Sequence, residues 1–183
     1  MPPRVSVDLA HLTDAQRRVV DEVRAGRRGT VPANVVAWLP SPELARRAAA
    51  LGEFVRYQTS LGPRLSELAI LVVARHWSCA YEWAVHAREA SAAGLDASVI
   101  DAVARDAMPV LSGPDAVVHA FARELVGTGR VADALHARAV VELGEAGIVE
   151  LVGVVGYYTL VAFTLNAGDV PAPAGAPVLP QRP

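Results

Sequence analysis

Residues 66–94 read SELAILVVARHWSCAYEWAVHAREASAAG, and this stretch decides the fold class of the chain. Its apolar residues recur at spacings of three and four, and Ala and Leu outweigh any β-branched alternation, which is the pattern of packed helices. Ser66 can cap a helix that carries Glu67 to about Arg75, HWSC reads as a short turn, and a second helix starts near Ser78 and ends at Gly94. In that second helix Cys79, Glu82 and His86 fall at i, i+3 and i+7, within about 60° of one line at 100° per residue. One face therefore carries a thiol, a carboxylate and an imidazole. Trp83 lies beside this stripe and Tyr81 points away from it, so the expected setting is an apolar wall around a small polar cluster, as in a small-molecule site.

The flanking sequence continues the helical reading, and no strand or hairpin pattern interrupts it. Thr13 and Gln16 form a capping box for a first helix ending near Gly26, and RAGRRG follows as a loop. Ser41 and Pro42 start a helix to about Ser60, with Pro at the first helical position where its missing N–H costs nothing. Gly62 and Pro63 break the chain before Ser66. Beyond Gly94, Asp96 opens a helix to about Ala107, MPVLSGP is a loop, and Pro114 begins a helix to about Val126. The turn GTGR leads to a helix from Asp133 to about Leu143, followed by the longest apolar run, Ile148 to Leu165. Glu150 interrupts that run and leaves about fifteen apolar residues, short of the roughly twenty that cross a bilayer, so a buried core helix is expected and no membrane span. The last segment, from Val170, holds five prolines and reads as an extended or disordered arm. The expected organisation is an N-terminal helix and loop over 1–30, a helical domain over 31–169 and a Pro-rich tail over 170–183.

Composition narrows the function classes. The 183 residues are 52% hydrophobic, enough for one domain with a substantial core. The net charge of −2 comes with scattered arginines and no basic block, so nucleic acid is not an expected partner. The chain has no lysine, which rules out a Schiff-base lysine, pyridoxal phosphate attachment and a phosphate-loop lysine together. A single cysteine makes no internal disulfide, and with no signal-peptide pattern a cytoplasmic protein is expected. The five histidines include no HExxH or HxH pair and no duplicated Glu-x-x-His, so neither a metal nor another cofactor is expected.

Glu67, then Cys79 twelve residues on, then Glu82 and His86, resembles the frame of the carboxymuconolactone decarboxylase and alkylhydroperoxidase D-like superfamily: an upstream acid, Cys-x-x-Cys, and a His four residues beyond the second Cys. YEWAVH and GYYTLVAFTLN resemble the decarboxylase-like branch, and the likeness runs from about Val31 to Pro171. It departs from the dithiol branch where the peroxidatic cysteine is replaced by Glu82; only the resolving position keeps sulfur, as Cys79. The resemblance implies an all-α helical bundle that self-associates, commonly as a trimer or hexamer, with its site near a subunit contact. It implies Glu67, Glu82 and His86, with Cys79 provisionally, as catalytic residues. Trp83, Tyr57, Tyr157 and Asn166 are candidates for the substrate-binding wall, Tyr158 being a further polar group there.

Such a cluster has a definite chemistry. A carboxylate in an apolar pocket has its pKa raised, and a charged imidazole nearby lowers it again, so an acid and a base poised near neutrality can coexist. The leading expectation is cofactor-free proton transfer with loss of carbon dioxide from a small carboxylated lactone or unsaturated acid. A thiol-dependent peroxidase and a non-catalytic ligand-binding oligomer are the alternatives. Cys79, placed in a first helical turn, is expected to gain some thiolate character from the helix N-terminal field. Glu67 has a purely structural alternative, a pair with Arg75.

Overall fold

The computed structural model describes residues 3–5 and 7–182, and every regular element among them is an α-helix. In chain order these are α1 (Asp14–Ala25), α2 (Ala33–Trp38), α3 (Pro42–Tyr57), α4 (Gly62–His76), α5 (Ala80–Ala92), α6 (Ala97–Ala104), α7 (Gly113–Thr128) and α8 (Asp133–Ala167). Local chemistry accounts for most of the boundaries. Thr13 and Gln16 close the expected capping box reciprocally, Asp96 accepts from the Ser98 N–H, and Gly129 ends α7 in the left-handed region at φ 73°.

Four boundaries differ from the sequence reading. The short helix α2 was not anticipated. Helix α4 starts at Gly62, with Pro63 in its first turn, so Ser66 lies inside the helix and caps nothing. The Gly62–Pro63 pair is therefore a helix start and not only a break, because Pro is well suited to a position whose N–H has no helical partner. Helix α5 begins at Ala80, one residue later than a first-turn Cys79 requires, and Cys79 is its N-cap. The two predicted C-terminal helices run on as α8, joined through Gly144, whose φ of 69° breaks the helical path.

Helix α4 is the centre of the bundle. Every residue from Ser66 to Arg75 is buried, and the helix packs against α3, α5, α6, α7 and α8. A helix apolar on all sides needs such a surround, and each fully buried Leu or Ile contributes about 1.5–3 kcal/mol. The α4–α5 hairpin turns through Ser78 at φ 49°, a conformation that costs a non-glycine residue about 1–3 kcal/mol. The surroundings stabilise it: the Cys79 N–H reaches the Ala74 carbonyl at 2.9 Å, and Arg75 Nη2 donates to Ser78 Oγ at 3.1 Å. This turn folds α5 back against α4, and α8 packs against both.

Helix α8 is long and apolar enough to cross a membrane by length and composition, a correction to the reading that it falls short, and half of its most apolar window is buried inside the bundle. Glu150, which interrupts its apolar run, accepts from the Ser60 N–H at 2.7 Å and the Ser60 hydroxyl at 2.6 Å, tying α8 to the α3–α4 connection. Gly52 of α3 allows the Tyr157 ring of α8 to approach, since a Cβ there would occupy the space of the Tyr157 hydroxyl. The Pro-rich tail is an arm laid along the bundle: the carbonyls of Gly175 and Pro180 accept from Arg88 and Arg75 at 2.9 and 2.7 Å.

Candidate active site

A cavity of about 370 Å³ opens between α5, α8, the end of α3 and the segment from Arg28 to Asn34. Helix α5 supplies Tyr81, Glu82, Val85 and His86 to it, and α8 supplies Tyr157 and Tyr158. Behind it, in the second turn of α4, lies Glu67.

The antiparallel α4–α5 hairpin places Glu67 and His86, 19 residues apart, at 2.7 Å between Oε2 and Nδ1, with both side chains buried. The structural alternative, a pair of Glu67 with Arg75, does not form; Arg75 bonds to the Ala104 and Pro180 carbonyls and to Ser78. With a carboxylate as its partner, Nδ1 carries a proton and donates it, which leaves Nε2 without a hydrogen-bond partner among the described residues. The ring is held further by Tyr158, edge to face at a centroid distance of 4.9 Å.

Glu82 is in a different condition. Its residue is 1% exposed, and among the described residues neither carboxyl oxygen has a hydrogen-bond partner. Burial pushes its pKa well above the usual 4.5, and the nearby Glu67 carboxylate pushes it the same way. Two neighbouring carboxyl groups thus sit in opposite conditions: Glu67 is engaged by an imidazole, and Glu82, buried with no partner among the described residues, is shifted toward its protonated form.

Cys79 departs from its expectation. The sulfur is fully buried, and its pKa is pushed up to about 12 by burial first and then by Glu82, while the N–H groups of Glu82 and Tyr81 pull weakly the other way. The N-terminal field of α5 is present, but the missing solvation outweighs it. Cys79 does not line the cavity.

The proposed wall is rearranged in a similar way. Tyr57 and Tyr157 line the cavity as expected. Trp83 does not: it is 2% exposed and belongs to the apolar core, whereas Tyr81, expected to point away, lines the opening. Asn166 is exposed and donates from Nδ2 to the Trp77 carbonyl at 2.9 Å, closing the end of α8 over the hairpin turn. Three polar residues that sequence reading passed over enter from the N-terminal side. Arg28 is half-buried, donates from Nη2 to the Gly52 carbonyl at 3.0 Å, has no carboxylate partner among the described residues and keeps Nε buried and unpaired. Arg56 lies 3.3 Å from Glu89, and the buried Asn34 keeps its Nδ2 unpaired. Arg28 and Asn34 crowd the Tyr157 hydroxyl, and their presence offsets part of the rise that burial imposes on its pKa. RAGRRG showed only a loop in sequence; no local pattern marks which of its arginines turns inward.

Residues 42–123 match the carboxymuconolactone decarboxylase family. The matched segment runs from α3 into α7 and includes Glu67, Cys79, Glu82 and His86, while Arg28, Asn34, Tyr157 and Tyr158 lie outside it. No curated protein matches the sequence. Two crystal structures share the fold. A peroxidase-related protein from Silicibacter sp. TM1040 superposes with a TM-score of 0.76 at 17% identity, over 94% of this chain and 93% of that one. The apo form of the debrominase Bmp8 superposes with a TM-score of 0.70 at 12% identity, over 93% and 92%. The likenesses extend across nearly the whole chain and show a shared all-helical fold.

Proposed function

We propose that the chain is a cofactor-free enzyme that removes carbon dioxide from a small carboxylated lactone or unsaturated acid by proton transfer. The observation that carries this reading is the buried Glu82, without a partner among the described residues, beside the Glu67–His86 pair. Loss of carbon dioxide breaks a C–C bond and leaves the electron pair on a dienolate, which needs a hydrogen-bond donor at oxygen and a proton at carbon. Glu82, kept neutral by burial, is the donor to oxygen. His86 in its protonated form delivers the proton from Nε2 to carbon and is recharged from solvent, and Glu67 orients the ring. Arg28, with a cationic charge no carboxylate balances, and Arg56 beside it favour an anionic substrate.

The test is a screen of the purified protein against carboxylated lactones and unsaturated keto acids, following release of carbon dioxide, run in parallel with Cys79→Ser. Release by the parent, and by the Ser variant at a similar rate, is the expected result, because serine at an N-cap is well tolerated and the route bypasses sulfur. A hundredfold loss in the variant would return the thiol peroxidase alternative, which a sulfur that is buried, protonated and without a second cysteine does not favour. No release from any compound of the class would favour the non-catalytic ligand-binding protein.

The reading includes self-association as a trimer or hexamer. It is supported by an outward apolar face on α8, where Val149, Val152, Leu160 and Phe163 are exposed, at 72% for Val149. Light scattering at micromolar concentration is expected to give a multiple of the 19.2 kDa chain mass; a monomer contradicts it.

A further inference from the structure

A second cavity, of about 270 Å³, lies between α4, α6 and α7 on a different side of the bundle and shares no lining residue with the acid–base cavity. Its polar walls are Arg75 and His76 from α4, Asp106 just after α6, His119 and Arg123 from α7, and Arg182 from the C-terminal arm. The charges that the described residues bring to it do not balance. Arg123 Nη1 is 3.1 Å from Asp106 Oδ1 and Arg182 Nη2 is 3.6 Å from Asp106 Oδ2, so two guanidiniums share one carboxylate. Arg75 is 3% exposed and has no carboxylate partner among the described residues. It donates to the carbonyls of Ala104 and Pro180 at 3.0 and 2.7 Å and to the Ser78 hydroxyl, while its Nε is buried and unpaired. Among the described residues, three positive charges thus face one negative charge in a partly desolvated space.

The histidines add donors without adding charge. His119 is 3% exposed and has no hydrogen-bond partner among the described residues. Burial first, and then a neighbouring arginine, holds both His119 and His76 below the usual histidine pKa, and Asp106 opposes this only in part. A neutral imidazole can offer one N–H to an oxyanion at no cost in further repulsion.

We propose that this cavity binds a phosphate dianion, either free or as the monoester of a small molecule. The dianion matches the two uncompensated charges, and planar guanidinium forks such as those of Arg123 and Arg182 suit phosphate oxygens. His119 supplies a buried neutral donor, and Arg75 supplies fixed positive field. Because Arg182 belongs to the arm and also donates to the Arg75 carbonyl at 3.4 Å, an anion that relieves the repulsion between the two guanidiniums fastens the arm to α4.

The experiment is calorimetric titration of the full chain with inorganic phosphate, and in a second arm with ribose 5-phosphate, both at constant ionic strength against chloride. One saturable site is expected in at least one arm. Tighter binding of the monoester identifies an organic phosphate as the source, and equal affinity identifies the free anion. Arg123→Gln and, separately, His119→Gln are expected to weaken binding roughly tenfold or more, the usual consequence of losing a hydrogen bond to a charged group. Arg64→Gln, which removes the same charge from α4 where it pairs with Asp115, should bind as the parent does. Heat no different from chloride in both arms overturns the proposal, and so does unchanged affinity in both the Arg123 and His119 variants.

Discussion

His86→Gln lowers turnover by roughly 10²- to 10⁴-fold, the range for a positioned general acid or base, and the chain remains folded. The loss follows from geometry: Nδ1 is fixed 2.7 Å from Glu67, so the imidazole can offer only Nε2 to a ligand, and an amide cannot move a proton from that position. The fold survives because the amide still donates to the buried Glu67 carboxylate, which would otherwise lose its partner at 6% exposure. Glu67→Gln should cost a comparable factor, since the ring then loses its orienting acceptor. The double variant should cost much less than the product of the two, as expected for residues acting as one unit. Circular dichroism with steady-state kinetics on a compound that releases carbon dioxide checks all three. Full activity in both single variants would reduce the pair to a structural tie.

Glu82→Met lowers turnover by about 10²- to 10³-fold, the cost of one hydrogen-bond donor to a developing oxyanion, and at the same time flattens the dependence of stability on pH. The second effect follows from linkage. In the fold the Glu82 carboxyl keeps its proton well above the usual value of 4.5, whereas in the unfolded chain it releases it near that value. Between those two points the native state binds more protons than the unfolded state. Its contribution to stability is therefore complete below about pH 4.5 and is lost as the pH rises through its raised native value. The loss is about 1.4 kcal/mol per pH unit within that window. Methionine fills a similar volume and does not titrate. Thermal unfolding of parent and variant from pH 5 to 8 should thus show the difference growing in the variant's favour with pH. Parallel curves would mean that Glu82 is ionised in the folded protein, and the neutral-acid role would fall.

Both predictions depend on residues that were readable in the sequence, although their roles were not equally readable. Glu67, Glu82 and His86 stand out because acidic and basic side chains at helical spacing interrupt a strongly apolar stretch. Helix ends were legible wherever the signal is local, as in the Thr13–Gln16 box, the Asp96 cap and the left-handed Gly129. Errors came where a residue type serves two purposes. Gly62–Pro63 breaks one helix and starts the next, and six-residue α2 is too short to show a period. A helical wheel also gives angles without saying which neighbour lies at each angle. Trp83 is buried in the core and Tyr81 lines the cavity because of what α5 packs against, and Asn166 is engaged at the end of α8 because the hairpin turn lies within its reach.

The sequence by itself determined an all-helical chain and singled out Glu67, Glu82 and His86 as polar residues in an apolar stretch, since these follow from the order and spacing of residues within one or two helices. Only the tertiary structure decided the surroundings of each of the three. Ionisation depends on solvation and on charges brought together from separated segments, and no local spacing encodes either. Packing of α4 against α5 turned Glu67 toward His86, left Glu82 buried and neutral, and sealed Cys79 away from water. The same long-range packing brought Arg28 to one cavity and gathered Arg75, Arg123 and Arg182 at the other, from parts of the chain that nothing in their sequence relates.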